Sequence, residues 1–213
     1  MILEVKETPI LYSFRRCPYA IRARLALSSA NIKVEIREVV LREKPREFIE
    51  VSASKTVPCL VTGENVIDQS LDIMLWALNQ NDPENWLDMP GEGFDVINLI
   101  EDKFKPYLDK TKYSSRYPKD DFEENRMIAT DILKDLDRVQ KGKYFFGNKM
   151  TLCDVAVFPF VRQFAFINID WFNGIQWGNL NNWLNDFLDS EMFVSCQKKY
   201  IKWESGNSTV YFP

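Results

Sequence analysis

The sequence contains no histidine. That excludes Cys–His and Ser–His–Asp catalysis, imidazole metal ligands and acid–base work by the side chain that ordinarily titrates near neutrality. A nucleophilic cysteine here must be activated by other means. The four cysteines, Cys17, Cys59, Cys153 and Cys196, include no pair at two-residue spacing. A local CxxC redox pair and a zinc knuckle are therefore excluded, and no metal is expected. No apolar run is long: residues 155–161 form the longest, far short of the roughly 20 residues a membrane-spanning helix needs. Residues 1–7 carry Glu4, Lys6 and Glu7, and no apolar stretch of leader type follows. The expectation is a soluble, cytoplasmic chain with reduced thiols and no membrane partner. Basic residues are not in excess either. Lys and Arg total 27 against 31 Asp and Glu, a formal charge of −4, so no basic footprint for nucleic acid is present.

What the sequence does contain reads as two kinds of structure. Residues 9–14 have the make-up of a short buried strand. Pro18 opens a helix with Ile21, Leu25 and the alanines inward, Arg22 and Arg24 outward, and Asn31 at its end. Residues 34–40 read as a second strand, and residues 44–51 as a short helix with Pro45 in its first turn. Residues 57–61 and 65–67 read as a hairpin around Thr62-Gly63. Residues 69–78 read as a helix with Leu71, Met74, Leu75 and Leu78 on one face. The order βαβ-α-ββ-α predicts a small α/β domain with a four-stranded sheet over residues 1–80.

Pro83, Pro90, Gly91 and Gly93 break the pattern, making residues 81–93 the linker. Residues 94–213 then read as all-helical. Ile97, Ile100, Phe104 and Leu108 recur at helical spacing, as do Ile128, Leu133, Leu136 and Val139 in a segment stopped by Gly142. Thr151 to Asp154 has the form of a capping box. It opens a nearly all-apolar helix to about Ile167 that contains Pro159, and residues 180–188 and 192–203 supply two more helices.

Three stretches carry chemistry. Cys17, between a strand end and Pro18, is placed as the N-cap of a helix. There the helix N-terminus and the nearby Arg15 and Arg16 favour thiolate without imidazole; the alternative is a buried packing cysteine. Ala20 stands where a CxxC pair would have its second thiol, so a mixed disulfide at Cys17 needs an external thiol such as glutathione. Thr56-Val57-Pro58 is a candidate for a cis peptide that turns the Val57 backbone toward a peptide ligand, or is an ordinary proline at a strand edge. Ser70, after Asp68-Gln69, can offer hydroxyl and N–H to a carboxylate, or simply start a helix. Cys59, Cys153 and Cys196 read as packing residues.

In this order Cys17-Pro18-Tyr19-Ala20, residues 41–48, Thr56-Val57-Pro58, Asp68-Gln69-Ser70, the box at Thr151 and residues 158–165 resemble the glutathione transferases, most nearly the cysteine-type, omega-like, bacterial members. The resemblance covers almost the whole chain. It implies a thioredoxin-like N-terminal domain followed by an all-α helical bundle. It further implies that Cys17 forms a disulfide with glutathione and that Val57 pairs with the cysteinyl part beside a cis Pro58. Ser70 and Gln69 would hold the γ-glutamyl end, and Lys44 would meet the glycyl carboxylate. The family usually has Glu where this chain has Gln69, an amide that supplies no charge; Lys44 read alone is equally a solvated surface lysine. Glutathione would be the co-substrate, together with a second small-molecule or protein disulfide that the sequence does not name, and a homodimer is implied. The expected reaction is glutathionyl mixed-disulfide exchange, with dehydroascorbate reduction as a further outlet. The alternatives are a monothiol two-domain glutaredoxin-like oxidoreductase and a non-catalytic transferase-like module that binds a protein.

Overall fold

The computed structural model describes residues 8–63 and 65–213; residues 1–7, whose charges underlie the expectation of no leader, and Glu64 lie outside the described residues. The first elements follow the anticipated order: β1 (Ile10–Ser13), α1 (Pro18–Ser29), β2 (Val34–Glu38), α2 (Arg46–Val51), β3 (Cys59–Thr62), β4 (Asn65–Ile67) and α3 (Ser70–Gln80). Strand β1 runs parallel to β2, with Leu11 opposite Ile36, and antiparallel to β3, with Leu11 opposite Leu60. β4 pairs antiparallel with β3. The alternation that marked β2 is real: Val34, Ile36 and Glu38 are buried and the residues between them half-buried.

The sheet has five strands rather than four, in the order β4-β3-β1-β2-β5. The fifth, β5 (Tyr211–Phe212), lies antiparallel on β2 with Phe212 opposite Val34. Ile36 N–H donates to Val210 C=O at 2.9 Å and Trp203 N–H to Glu38 C=O at 2.9 Å. These contacts fill the donors and acceptors that an edge strand leaves open. The segment ahead of it forms α10 (Glu191–Cys196), which packs on α1. The helix expected over 192–203 therefore stops at Cys196. The segment Ser190–Pro213, assigned by sequence to the helical half, instead belongs to the first compact unit with the chain through Glu84.

α1 departs from its amphipathic reading. Every residue from Pro18 to Leu27 except Tyr19 is buried, and Arg22 and Arg24, expected outside, are 0% exposed. Both α3 and α10 pack against this helix, so it keeps no solvent-facing stripe for charges to occupy. In α3 the inward face is Ser70, Ile73, Met74, Ala77 and Leu78, with Leu71 and Leu75 only half-buried.

The second unit, Asn85–Asp189, is helical. It holds α4 (Glu92–Leu99), a π turn (Ile100–Phe104), α5 (Lys105–Lys112), α6 (Phe122–Val139), α7 (Leu152–Ala165), α8 (Ile169–Asn173) and α9 (Leu180–Leu188). Ile97, Ile100, Phe104 and Leu108 are all fully buried, as their spacing required. On α6 the buried apolar residues are Ala129, Leu133 and Leu136, whereas Val139 is 60% exposed at the helix end.

α7 is the buried centre, with all its residues but Arg162 out of solvent. Its capping box is present. Thr151 N–H and hydroxyl donate to Asp154 Oδ2 at 2.9 and 2.8 Å, while Phe145 N–H and the Trp183 indole donate to Oδ1 at 3.0 and 3.1 Å. Phe158 on α7 stacks on Phe187 of α9 at 4.5 Å between ring centroids. A thioredoxin-like α/β unit and an all-α bundle are thus the two parts of the chain.

Candidate functional site

Cys17 is the N-cap of α1, with extended backbone (φ −73°, ψ 124°) and proline at the first helical position. Its N–H donates to Phe14 C=O at 3.0 Å, and its own C=O accepts from Ile21 N–H at 2.9 Å. The first bond closes the turn leaving β1 and the second opens the helix. The side chain is half-buried and packs against a core of Tyr12, Val39, Phe48, Val57 and Cys59. A sulfur at this end of a 12-residue helix sits in the positive field of its aligned peptides.

The Val57–Pro58 peptide is cis. Cys17 Sγ donates to the Val57 carbonyl at 3.5 Å, so the structure brings together the first two of the sequence-selected residues. The loop before Val57 is held from the start of α3. Asp68 Oδ1 accepts from the Ser52 hydroxyl at 2.8 Å and Oδ2 from Ser54 N–H at 3.0 Å. The Ser54 and Thr56 hydroxyls are 2.8 Å apart, and the Ser52 hydroxyl accepts from Lys55 N–H at 2.9 Å. Lys55 adopts φ +54°, a left-handed conformation that these bonds hold against its steric cost. Gln69 is the exposed N-cap of α3, and Ser70, its first residue, is buried. Asp68 thus ties the Gln69–Ser70 corner to the Val57–Pro58 corner. Lys44 is half-buried, one residue before Pro45, the cap of α2.

Sequence reasoning missed three residues here. Asp68 stands in the sequence beside Gln69 and Ser70, and its place between a strand and a helix cap is the available signal. Arg24 and Glu38 were not singled out. Glu38 Oε1 accepts from Arg15 N–H at 2.7 Å, and Arg24 Nη2 donates to Arg15 C=O at 2.7 Å. The Arg16 guanidinium, by contrast, lies over the Phe14 ring at 5.5 Å on an exposed residue.

Two of the other thiols are held in the protonated form. Burial and a hydrogen bond to the Asp68 carboxylate push Cys59 up to about 12, and burial pushes Cys196 up to about 11. A raised thiol pKa means less thiolate at a given pH, and thiolate is the reactive form. Brief iodoacetamide treatment of the native protein between pH 6 and 9 is therefore expected to label Cys17 alone, read by peptide mass spectrometry. Labelling of Cys59 at pH 7 at a rate comparable to Cys17 would contradict this ordering. Among the described residues no group of three or more Cys, Asp or Glu side chains could hold a metal ion, and no helix is long and apolar enough to cross a membrane.

Comparison with known proteins bears on this geometry. Residues 11–86 match the family model described as glutathione S-transferase, N-terminal domain, and residues 120–186 match glutathione S-transferase, C-terminal domain. The chain is 25% identical over 199 residues to glutathione S-transferase L2, chloroplastic, of Arabidopsis thaliana, covering 88% of this chain but 65% of that relative. It is 21% identical over 168 residues to glutathione S-transferase omega-1 of Sus scrofa, covering 75% of this chain and 68% of that one. The crystal structure of a glutathione transferase family member from Pseudomonas fluorescens pf-5, with two glutathione bound, superposes with a TM-score of 0.75 at 16% identity, over 92% of this chain and 95% of that one. With both halves matched in chain order, the chain belongs to the glutathione S-transferase family.

Proposed function

We propose that this chain is a glutathione-dependent thiol transferase acting through Cys17. The observation that carries the reading is the position of Cys17 Sγ, capping α1 and 3.5 Å from the Val57 carbonyl beside cis Pro58. The Cys17 thiolate attacks the glutathione sulfur of a mixed disulfide, forming a Cys17–glutathione disulfide and expelling the substrate thiolate, which takes a proton from water. A second glutathione, as thiolate, attacks the same glutathione sulfur; glutathione disulfide leaves and Cys17 returns as thiolate. Ala20 supplies no thiol to intercept the intermediate.

In this reading glutathione pairs by backbone with Val57, its γ-glutamyl end meets Ser70 and Gln69, and its glycyl carboxylate meets Lys44. The glutathione-bound Pseudomonas relative supports glutathione as the co-substrate. Dehydroascorbate reduction would use the same thiolate. A reducing cytoplasmic setting and a homodimeric assembly complete the proposal.

The test is turnover of a glutathionylated peptide with reduced glutathione, followed as glutathione disulfide release, beside conjugation of 1-chloro-2,4-dinitrobenzene. The expected result is disulfide turnover well above conjugation. Conjugation without disulfide turnover would overturn the reading.

A further inference from the structure

The peptide of Arg15, two residues before Cys17, is gripped on both sides by side chains distant in sequence. Its N–H donates to Glu38 Oε1 at the end of β2, and its C=O accepts from Arg24 Nη2 on α1, both at 2.7 Å. Arg24 is 0% exposed and Glu38 9%. Arg24 Nε and Nη1 and Glu38 Oε2 are buried without a hydrogen-bond partner. A guanidinium placed so deep is costly unless its charge is compensated, so its presence there calls for an explanation beyond packing. Four groups interact electrostatically with it: Glu38, Cys17, Cys196 on α10, and Tyr200. Burial pushes Cys196, Tyr200 and Glu38 alike toward their neutral forms, and at Glu38 the Arg15 N–H and the Arg24 and Arg15 charges act against it. Glu38 and Cys17 are the two of these groups tied to the Arg15 segment, Glu38 by its hydrogen bond from Arg15 N–H and Cys17 by standing two residues further along the chain.

We propose that Arg24 and Glu38 are positioning residues for Cys17: together they clamp the Arg15 peptide and so fix the sulfur at the start of α1, and Arg24 adds the buried positive charge that imidazole supplies in Cys–His enzymes. The proposal rests on the reading of Cys17 as the working thiol. It moves the activating charge from the exposed Arg16, where water and salt screen it, to a residue that solvent does not reach.

The two members of the clamp carry opposite charges, and this separates positioning from mere stability. The pH dependence of Cys17 alkylation by iodoacetamide is measured on Arg24→Gln, Arg24→Lys and Glu38→Gln. No glutathione is needed, so the result is independent of whether the chain turns over mixed disulfides. Arg24→Gln removes the cation and is expected to slow alkylation at pH 6 by about tenfold, its pH profile moving upward. Glu38→Gln keeps an oxygen to accept from Arg15 N–H but removes the anion, and its profile is expected to move downward or stay in place. Arg24→Lys keeps the charge and loses the fork, and should lie between wild type and Arg24→Gln; it serves as the folded comparison should Arg24→Gln fold poorly. Superposable profiles for folded wild type and either Arg24 variant would overturn the proposal. Upward shifts in both Arg24→Gln and Glu38→Gln would do the same, since damage to packing alone carries no sign. Intact opposite shifts with no glutathionylated-peptide turnover in wild type would keep the clamp and discard the enzymatic reading.

Discussion

A Cys17→Ala protein is expected to lose turnover of glutathionylated peptide by about three orders of magnitude or more while keeping most of its affinity for glutathione. The first half follows from chemistry. With Cys17 gone, Cys59 and Cys196 are held protonated up to about 12 and about 11, and Cys153 is fully buried in α7. No substitute nucleophile reaches the glutathionyl sulfur, and removing a nucleophile outright is among the costliest changes an enzyme can suffer. The second half follows from where binding is proposed to lie: in the Val57 backbone, Ser70, Gln69 and Lys44, none of which the truncation removes. Losing a half-buried Sγ–H bond to Val57 should cost about 1 kcal/mol of stability or less. Steady-state kinetics with calorimetric titration of glutathione separates the two. Turnover within tenfold of wild type would remove Cys17 from the mechanism. Cys17→Ser places a hydroxyl at the same helix end and should share the loss of disulfide turnover.

The largest expected effect on stability lies away from this chemistry, at Asp154. Its carboxylate is fully buried and accepts from four donors: Thr151 N–H, Thr151 hydroxyl, Phe145 N–H and the Trp183 indole. Asp154→Ala strands all four in the interior at about 1–3 kcal/mol each before relaxation. An expected net loss of about 4–5 kcal/mol approaches the whole stability of an ordinary domain. Asp154→Asn keeps one carbonyl oxygen and should cost about half as much. Denaturant titration followed by tryptophan fluorescence reads both, since Trp183 is one of the four donors. A loss under about 1 kcal/mol for Asp154→Ala would show that the donors find other partners.

How far the sequence revealed this molecule depended on element length and on whether each element had an outside. The Cys17 cap was legible because Cys-Pro between an apolar run and an alanine-rich helix admits few geometries. The box at Thr151 to Asp154 was legible because four consecutive residues carry it. The burial of Arg22 and Arg24 was not, because periodicity assigns charges to a solvent face and α1 has none. Strand β5 spans two residues, a single alternation of outside and inside with no repeat, so no pattern could announce it. The clamp on Arg15 joins positions 15, 24 and 38, and only the fold brings them together. Lys44 and Gln69 came from the resemblance alone, whereas Ser70 was also marked by its place near a helix start.

The α/β unit is assembled from two stretches of chain, with the whole of Asn85–Asp189 between them. During synthesis the earlier stretch leaves the ribosome first and must wait, its β2 border unpaired and the α10 side of α1 uncovered, until residues 190–213 emerge. Arg24 lies in that waiting helix, and Cys196, one of the groups that act on it electrostatically, comes from the late segment. The surroundings of Cys17 are therefore completed only once residues 190–213 have emerged, and a nascent chain halted at Asp189 would carry Cys17 in an unfinished setting.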